Sequence, residues 1–315
     1  MTNMDVIDKK INLYRNEANK KYFETIQYYH QKSIIKIILS LSLPYIFILL
    51  TLWQYFFFDN ELKYFFSFVI FLLSQRLLNT IVHDCAHQFI SKDKAKNDLL
   101  CNLFFASLIG TNVEKYRNIH LAHHKYNGSS SDPEYINIEN IKNSTEFFKF
   151  CMRYIFLFES IKLIKKYYFK KNLIYSNNKI SKKILFLILD LKYVIFAQIL
   201  LLIIFKIIDI KLYIIWIYIS LTFSPLFSKL RFMIEHPGQD SLTVSTTGFF
   251  SDILFFAPFN FNYHFEHHAW PNLPPYNLKK LHYFLLKNQF FNNKKLLLNE
   301  HGYSKKIFKY LYDRV

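Results

Sequence analysis

The sequence predicts an all-α integral membrane protein with four membrane-spanning helices that form two hairpins. Of the 315 residues, 52% are hydrophobic and 19% are aromatic, yet the formal net charge is +17. Soluble domains rarely combine so much apolar surface with so strong a positive charge. Four apolar runs reach the length of about 20 residues that a helix needs to cross a membrane. Only a short polar turn separates the two runs of each pair, so each pair must fold back on itself.

The first hairpin is predicted over residues 34–82. A polar and charged N-terminal segment, residues 1–33, precedes its first span, residues 34–58. This span is too long for the apolar part of a signal peptide and lacks a small-residue cleavage site, so we expect it to be retained. The turn DNELK leads to the second span, residues 64–82.

The second hairpin is predicted over residues 187–232. Its spans, residues 187–208 and 212–232, are joined by the turn DIK. Asp190 and Lys192 lie near one end, where a lysine can extend to the lipid headgroups.

Three further segments are predicted to lie at the membrane surface. The apolar runs 99–109 and 249–261 are too short to cross, so they should lie in the interface or dip into it. Residues 147–167 mix basic with apolar positions, as is typical of an amphipathic helix on an anionic leaflet. An ordinary soluble helix is the alternative. The basic residues of this segment are Lys149, Arg153, Lys162, Lys165 and Lys166.

The distribution of basic residues predicts the orientation. The two hairpin turns contain only Lys63 and Lys211, whereas nearly all other lysines and arginines lie in the N-terminal segment and in regions 83–186 and 233–315. Basic residues favour the cytoplasmic side, so both termini and both regions should be cytoplasmic. We find no repeat and no domain linker, and therefore expect residues 1–315 to form one membrane domain.

The cysteines exclude two classes of site. The chain has three, an odd number, and none has CxxC spacing, which argues against a disulfide framework and against a cysteine zinc knuckle. A reducing compartment fits best. The basic charge is explained by the membrane, so no nucleic-acid partner is expected.

Eight of the twelve histidines fall into three clusters. The sequence HDCAH directly follows the second span, HLAHH lies in the first large cytoplasmic region, and HFEHH follows the fourth span. The predicted topology therefore brings all three to the same side of the membrane. The clustered histidines are His83, His87, His120, His123, His124, His264, His267 and His268.

The spacing of these histidines is typical of a metal site. On an α-helix, residues i, i+3 and i+4 share one face, so HxxxH offers two imidazoles and HxxHH offers three to a common point. Eight imidazoles exceed the three or four that one tetrahedral zinc ion binds, so we expect two metal ions. Imidazole suits iron, zinc, copper and nickel, and the ligands alone do not choose among them. His236, just beyond the fourth span, is a ninth candidate ligand.

Other polar residues are candidates for supporting the ligands. Asp84, Asp132, Glu235 and Glu266 lie beside or near the clusters and could accept hydrogen bonds from ring N–H groups, fixing the orientation of the rings. Gln75 and Asn79 continue the line of His83 and His87 into the second span. We expect both to bond within the bundle and to orient the first ligands, with simple helix–helix attachment as the alternative. His30, His282 and His301 have no cluster partner and are interpreted as exterior or supporting residues.

With these motifs the sequence resembles the membrane fatty acid desaturases, a family marked by three histidine boxes of the types HxxxH, HxxHH and HxxHH. The stretches YRNIHLAHHKYNGSSSDPE and PFNFNYHFEHHAWPNLPPYNLKKLH resemble the bacterial acyl-lipid branch. Two departures from the acyl-CoA branch are the three rather than four residues within the first box and Phe232, one turn before His236, where that branch can place asparagine. An acyl-CoA substrate is therefore in doubt.

The resemblance implies a non-haem di-iron centre that uses O2 as co-substrate and takes electrons from an external donor such as ferredoxin or cytochrome b5. It implies that the eight box histidines, with His236, bind two irons in a bacterial inner-membrane enzyme that introduces a double bond into a lipid acyl chain. A hydroxylase or ketolase acting on lipids or carotenoids with the same centre is the alternative. A membrane metal-binding or transport protein is less favoured, because its ionisable residues would line a path across the bilayer rather than cluster at one surface.

Overall fold

The computed structural model describes residues 4–127, 129, 131–134, 141, 143–165, 180–237 and 243–312. These residues are mostly helical, with connecting loops, short 3₁₀ turns and one pair of two-residue parallel strands, Ser245–Thr246 and Leu298–Asn299. The helices are α1 (Met4–Tyr29), α2 (Ile34–Phe57), α3 (Leu62–Ala86), α4 (Lys94–Phe104), α5 (Val113–Tyr126), α6 (Ser144–Ile155), α7 (Phe158–Ile164), α8 (Ile180–Ile208), α9 (Ile210–Leu221), α10 (Phe223–Glu235), α11 (Phe250–Phe256), α12 (His264–Ala269), α13 (Pro275–Lys287) and α14 (Gly302–Tyr312).

The described residues contain four stretches that are long and apolar enough to cross a membrane, as the sequence predicted. They are Ile34–Phe57, Leu62–Ala86, Ile188–Ile208 and Ile210–Glu235. The fourth is broken in the middle, because Thr222 leaves helical geometry with φ −124° and ψ −79° and separates α9 from α10. Pro225 in the first turn of α10 is compatible with a helix start at this point.

The two hairpin turns meet at one end of the bundle. The side chain of Asp209, in the second turn, accepts hydrogen bonds from Tyr55 (2.9 Å) and Tyr64 (2.6 Å) of the first hairpin. Asp209 also caps α9 by accepting from the backbone N–H of Lys211 at 2.9 Å. The histidine-bearing ends of α3 and α10 therefore lie at the opposite end.

One buried arginine connects the two halves of the bundle. Arg76 of α3 donates to the backbone oxygens of Phe255 (2.9 Å) and Phe256 (2.7 Å) and to Ser228 Oγ (2.6 Å). Its relative exposure is 2%, so these acceptors replace water for the guanidinium. The contacts fix α3 against α10 and α11.

The predicted segment 99–109 reaches deep into the bundle. It forms the end of α4 and the 3₁₀ turn Ala106–Ile109. Gln198, near the middle of the third span, donates to the carbonyls of Ser107 and Leu108 at 3.0 Å, and the indole of Trp216 donates to Leu108 O at 3.0 Å. These side chains supply hydrogen-bond donors to the carbonyls of the turn, which lipid cannot do.

The prediction of one amphipathic helix over 147–167 was wrong. The described part forms two helices, α6 and α7, because Leu157 adopts φ +66° and interrupts the helical backbone. Phe148, Phe156 and Phe158 are nonetheless 60% or more exposed beside basic residues, so the segment is amphipathic. Lys166 and Tyr167 lie outside the described residues.

The second short run, 249–261, contains α11. Phe249 and Phe250 at its start are 83% and 78% exposed, whereas Phe256 and Ala257 are buried against α10 and α14. Helix α1 packs over α12 and α13, where Asn19 accepts a hydrogen bond from the indole of Trp270 at 3.0 Å. The N-terminal helix thus covers the third histidine cluster.

We expect Arg76→Met to destabilise the bundle without touching a histidine. Removing the guanidinium leaves buried carbonyl acceptors unpaired, which should lower the free energy of unfolding by about 3 kcal/mol. The measurement is thermal or denaturant unfolding of the purified protein in detergent. Arg153→Met is the control, because Arg153 is about half exposed and should contribute no more than about 0.5 kcal/mol. Equal stability of both variants would contradict a role for Arg76 in joining the helices.

Candidate metal centre

Four chain segments bring nine histidines to one buried region. His83 lies in the last turn of α3 and His87 at its C-cap, and α5 carries the second cluster. His236 is the C-cap of α10, and α12 consists almost entirely of the third cluster. The C-terminal ends of three helices and one short helix therefore carry all nine rings.

The nine rings divide into two groups. Within each group, one nitrogen of every ring lies within 4.8 Å of the corresponding nitrogens of the others. The five-histidine group is His83, His87, His120, His124 and His267, and the four-histidine group is His123, His236, His264 and His268. The five-histidine group takes its rings from α3, α5 and α12, and the four-histidine group takes its rings from α5, α10 and α12. Neither group could therefore be completed by one cluster alone.

The distances between ring nitrogens fit shared metal ions. In the five-histidine group, His120 Nε2 is 2.9 Å from both His87 Nε2 and His124 Nε2. In the four-histidine group, His264 Nε2 is 3.0 Å from His236 Nε2 and 3.1 Å from His268 Nε2. Two nitrogens bound to one ion at about 2.1 Å, with a right angle between them, lie about 3 Å apart.

Hydrogen bonds between the rings explain these distances less well. A neutral imidazole nitrogen carries either one proton or one lone pair, so it can form one good in-plane hydrogen bond. His120 Nε2 and His264 Nε2 each approach two other nitrogens closely. His83 Nε2 is buried and has no hydrogen-bond partner at all. An ion at the centre of each group would satisfy all of these nitrogens.

Burial keeps the rings in the form that binds metal. It lowers the pKa of His87 to about 4. Burial, followed by the neighbouring rings, also lowers the pKa of His120, His124, His267 and His268 well below the ordinary value. These five rings are therefore neutral near pH 7, and a neutral imidazole offers a lone pair to a cation.

Carboxylates lie near the outer nitrogen of three of the nine rings and form hydrogen bonds with two of them. His83 Nδ1 lies 2.9 Å from Asp84 Oδ1, and His123 Nδ1 lies 2.8 Å from Asp132 Oδ2. A proton on Nδ1 leaves Nε2 free to face the group. Glu235 Oε2 approaches His264 Nδ1 at 3.5 Å, too long for a good hydrogen bond. The hydroxyl of Tyr303 donates to its other oxygen at 2.6 Å.

Glu266 supports a histidine outside the two groups. Its Oε1 lies 2.7 Å from His282 Nδ1, and its Oε2 accepts from the hydroxyl of Ser245. Ser245 Oγ in turn accepts from the backbone N–H of Phe265 at 3.1 Å. Glu266 and His282 thus hold α12 in place from its outer side. The remaining two isolated histidines, His30 and His301, belong to neither group.

Gln75 and Asn79 bond within the helix bundle. The Gln75 amide donates to Trp216 O at 2.8 Å, and the Asn79 amide donates to Gln75 O and Ser224 Oγ, both at 2.8 Å. One of these contacts stays within α3 and the other two go to α9 and α10, and none of them goes to a histidine. They favour the helix-attachment alternative over a direct role in orienting His83.

Sequence reasoning missed an arginine that joins the first two clusters. Arg117, one turn before His120, donates to the carbonyls of Cys85 and Ala86 at 2.9 Å, between His83 and His87. Asp98 of α4 binds the same guanidinium through both carboxylate oxygens, at 2.5 and 2.7 Å. No spacing marks Arg117, because two of its partners are backbone carbonyls and the third, Asp98, lies 19 residues away in the sequence. The only sign of it in the sequence was its position: Arg117 is a charged residue on the face of α5 that also carries His120 and is expected to be buried.

We expect Asp132→Asn to weaken metal binding while leaving the fold intact. The amide cannot hold the proton of His123 Nδ1 as the carboxylate does, and loss of such a partner lowers metal affinity about 10- to 100-fold. The measurement is metal bound per chain after dialysis against a graded chelator. Asp59→Asn, in the exposed hairpin turn, is the control. Equal retention by both variants would argue against Asp132 as a support of the centre.

Comparison with known proteins identifies the family. The family model described as fatty acid desaturase matches residues 62–292, which include all nine histidines of the two groups. No curated protein and no solved structure matches the chain. The matched region covers well over half of the sequence. The chain therefore belongs to the fatty acid desaturase family.

Proposed function

We propose that the protein is an O2-dependent di-iron desaturase that introduces a double bond into a lipid acyl chain. The observation that carries this proposal is the pair of adjoining histidine groups, with five and four buried or half-buried rings, at one end of a membrane-spanning bundle. Nine imidazoles without a carboxylate ligand suit a transition metal. Family membership favours iron and an acyl substrate.

The nine histidines would hold the two irons. A di-iron centre with O2 supplies the oxidising power needed to break an unactivated C–H bond, which no side-chain acid or base can break. Removing two hydrogens from the acyl chain provides two electrons, and an external donor must provide two more, with two protons, to reduce O2 to two waters. Burial lowers the pKa of several of these rings, and Asp84 and Asp132 fix the direction of His83 and His123.

The location follows as part of the proposal. The described spans and the concentration of basic residues at the histidine end support a multi-pass protein of the bacterial inner membrane, with both termini and the active site cytoplasmic. The partners would be a membrane lipid and an electron donor such as ferredoxin or cytochrome b5.

A lipid profile tests the reaction. A membrane-competent host expressing the chain should contain an unsaturated acyl chain that is absent when His267→Ala is expressed, with the double bond located by mass spectrometry. His301→Ala, outside both groups, should behave like the parent protein. Hydroxylated or ketonic lipids would instead establish the hydroxylase or ketolase reaction.

Metal analysis tests the centre independently of turnover. We expect about two irons per chain in the purified protein and fewer in His267→Ala, because His267 belongs to the five-histidine group. His301→Ala should keep the full complement. Zinc at full occupancy with no O2 consumption, or a single iron per chain, would contradict the di-iron proposal.

The structure offers a place where a donor could approach. A shallow depression between the end of α3 and the loop before α13 is lined by Lys32, Asp84 and His87. His87 is half-buried and Lys92 is exposed. Burial, followed by the nearby charge of Lys92, lowers the pKa of Lys32. An acidic donor would be attracted to this surface.

We expect Lys92→Glu to slow reduction of the protein by an acidic donor several-fold at low ionic strength. The difference should fade as salt screens the charges. Stopped-flow reduction at several salt concentrations measures it. Lys211→Glu, at the opposite end of the bundle, is the matched control. A reduction rate independent of both salt and Lys92 would contradict docking at this surface.

A further inference from the structure

Arg231 of α10 lacks the hydrogen bonds that Arg76 and Arg117 form. Arg76 donates to backbone oxygens of α11, and Arg117 is bound by both carboxylate oxygens of Asp98. The Arg231 side chain is only 12% exposed, yet its Nε and Nη1 atoms have no hydrogen-bond partner among the described residues. Buried charged donors without acceptors are costly, so Arg231 needs a reason other than helix attachment.

Two contacts hold the Arg231 guanidinium in place. Its Cζ lies 3.7 Å from the centre of the Phe261 ring, which is a close cation–π contact. Its Nε lies 3.2 Å from Oε2 of Glu235, one turn further along α10. This pair has the distance of an ion pair without the geometry of a hydrogen bond. An aromatic ring and an opposite charge therefore fix the guanidinium.

Phe261 places this charge beside both histidine groups. The centre of its ring lies 4.0 Å from that of His83 in the five-histidine group and 5.6 Å from that of His264 in the four-histidine group. The Arg231 guanidinium packs on the same ring. One aromatic ring thus separates the cation from each group.

The charge of Arg231 acts on rings of both groups. Burial is the main cause of the lowered pKa of His236, His264 and His267, and neighbouring rings follow. The charge of Arg231 lowers the pKa of all three further. A permanent cation that disfavours a proton on these rings also repels a metal ion bound to them, and it repels the more highly charged ion more strongly.

We propose that Arg231 keeps the metal centre easy to reduce. Reduction by the external donor adds an electron and lowers the positive charge of the centre, so a nearby buried cation stabilises the reduced state relative to the oxidised state. The same cation weakens metal binding. Arg231 acts through its charge and is a positioning residue. The inference rests on the proposed function, because it assigns a purpose to Arg231 only if the bound metal is reduced and oxidised.

Zinc binding tests the repulsion without redox chemistry, because Zn²⁺ does not change its oxidation state. The purified protein is stripped of metal and reloaded with Zn²⁺, and retention is measured against a graded chelator. We expect Arg231→Met to retain zinc at least three-fold more tightly than the parent, because Glu235 then remains without the opposing cation. Arg231→Lys keeps the charge and should retain zinc as the parent does.

The iron-loaded protein tests the reduction itself. At one fixed solution potential, spectroelectrochemistry should show a ratio of reduced to oxidised centre at least ten-fold lower in Arg231→Met than in the parent. This ratio corresponds to a potential about 59 mV lower for a one-electron step. Arg231→Lys should stay within three-fold of the parent. Lys211→Met, which removes a positive charge from the hairpin turn at the opposite end of the bundle, should not change the ratio.

A residue needed only for packing would give different results. Weaker zinc binding in Arg231→Met, an unchanged ratio of reduced to oxidised centre, or a lysine variant that behaves like the methionine variant would overturn the proposal. Arg231→Gln repeats both measurements as a second variant without charge, so a folding defect of the methionine variant alone does not decide the outcome. The unfolding temperature shows which variants are folded.

Failure of the desaturase proposal has a different signature. In that case the order of zinc retention holds, but no new double bond appears in the lipid profile. New double bonds together with equal zinc retention in all folded variants would instead reject the role of Arg231 and keep the function.

Discussion

The structure depends on nine imidazole rings, seven buried and two half-buried, that face one another at one end of the bundle. Polar nitrogens in such a place are costly unless each finds a partner, and the close approach of His120 Nε2 and His264 Nε2 to two nitrogens each cannot be satisfied by protons alone. Cations would turn this cost into binding energy, so metal binding and the folding of this end of the bundle should be coupled. The helix ends that carry the rings are also held by side chains outside the two histidine groups.

The outer contacts differ between the two groups. The five-histidine group relies on Arg117, which draws α5 onto the end of α3 through the carbonyls of Cys85 and Ala86. The four-histidine group relies on Glu235, which lies between His264, Arg231 and the Tyr303 hydroxyl. Tyr303 begins α14, so the C-terminal helix reaches the metal centre through one carboxylate. The arrangement explains why segments far apart in sequence are all needed at one site.

Much of this could be predicted because the signals are local. Spans follow from run length. The meeting of the histidines in two groups follows from their spacing on one helical face, which is why the two HxxHH clusters were informative without a structure. Partners across the fold could not be predicted in this way. Glu266 stands beside two clustered histidines in sequence but turns to His282, because a helix sends adjacent residues to different faces. Arg117 was missed because backbone carbonyls leave no mark in a sequence, and the break at Leu157 was missed because an apolar residue gives no sign of a positive φ.

The break at Thr222 gives the fourth span two different roles. On the N-terminal side of the break, α9 is a lipid-facing helix whose Trp216 donates a hydrogen bond to the carbonyl of Leu108 in the 3₁₀ turn. On the C-terminal side, α10 offers Ser224 O and Ser228 Oγ as hydrogen-bond acceptors to Arg76 and ends at Glu235, with His236 as its C-cap. In a continuous helix the carbonyl of Leu221 would accept from the backbone N–H of residue 225, but Pro225 has none. The carbonyl is therefore free for the hydroxyl of Ser160, which places α7 against the span. The break at Thr222 therefore directs one half-helix to the histidines, and the carbonyl just before it holds α7 against the same span.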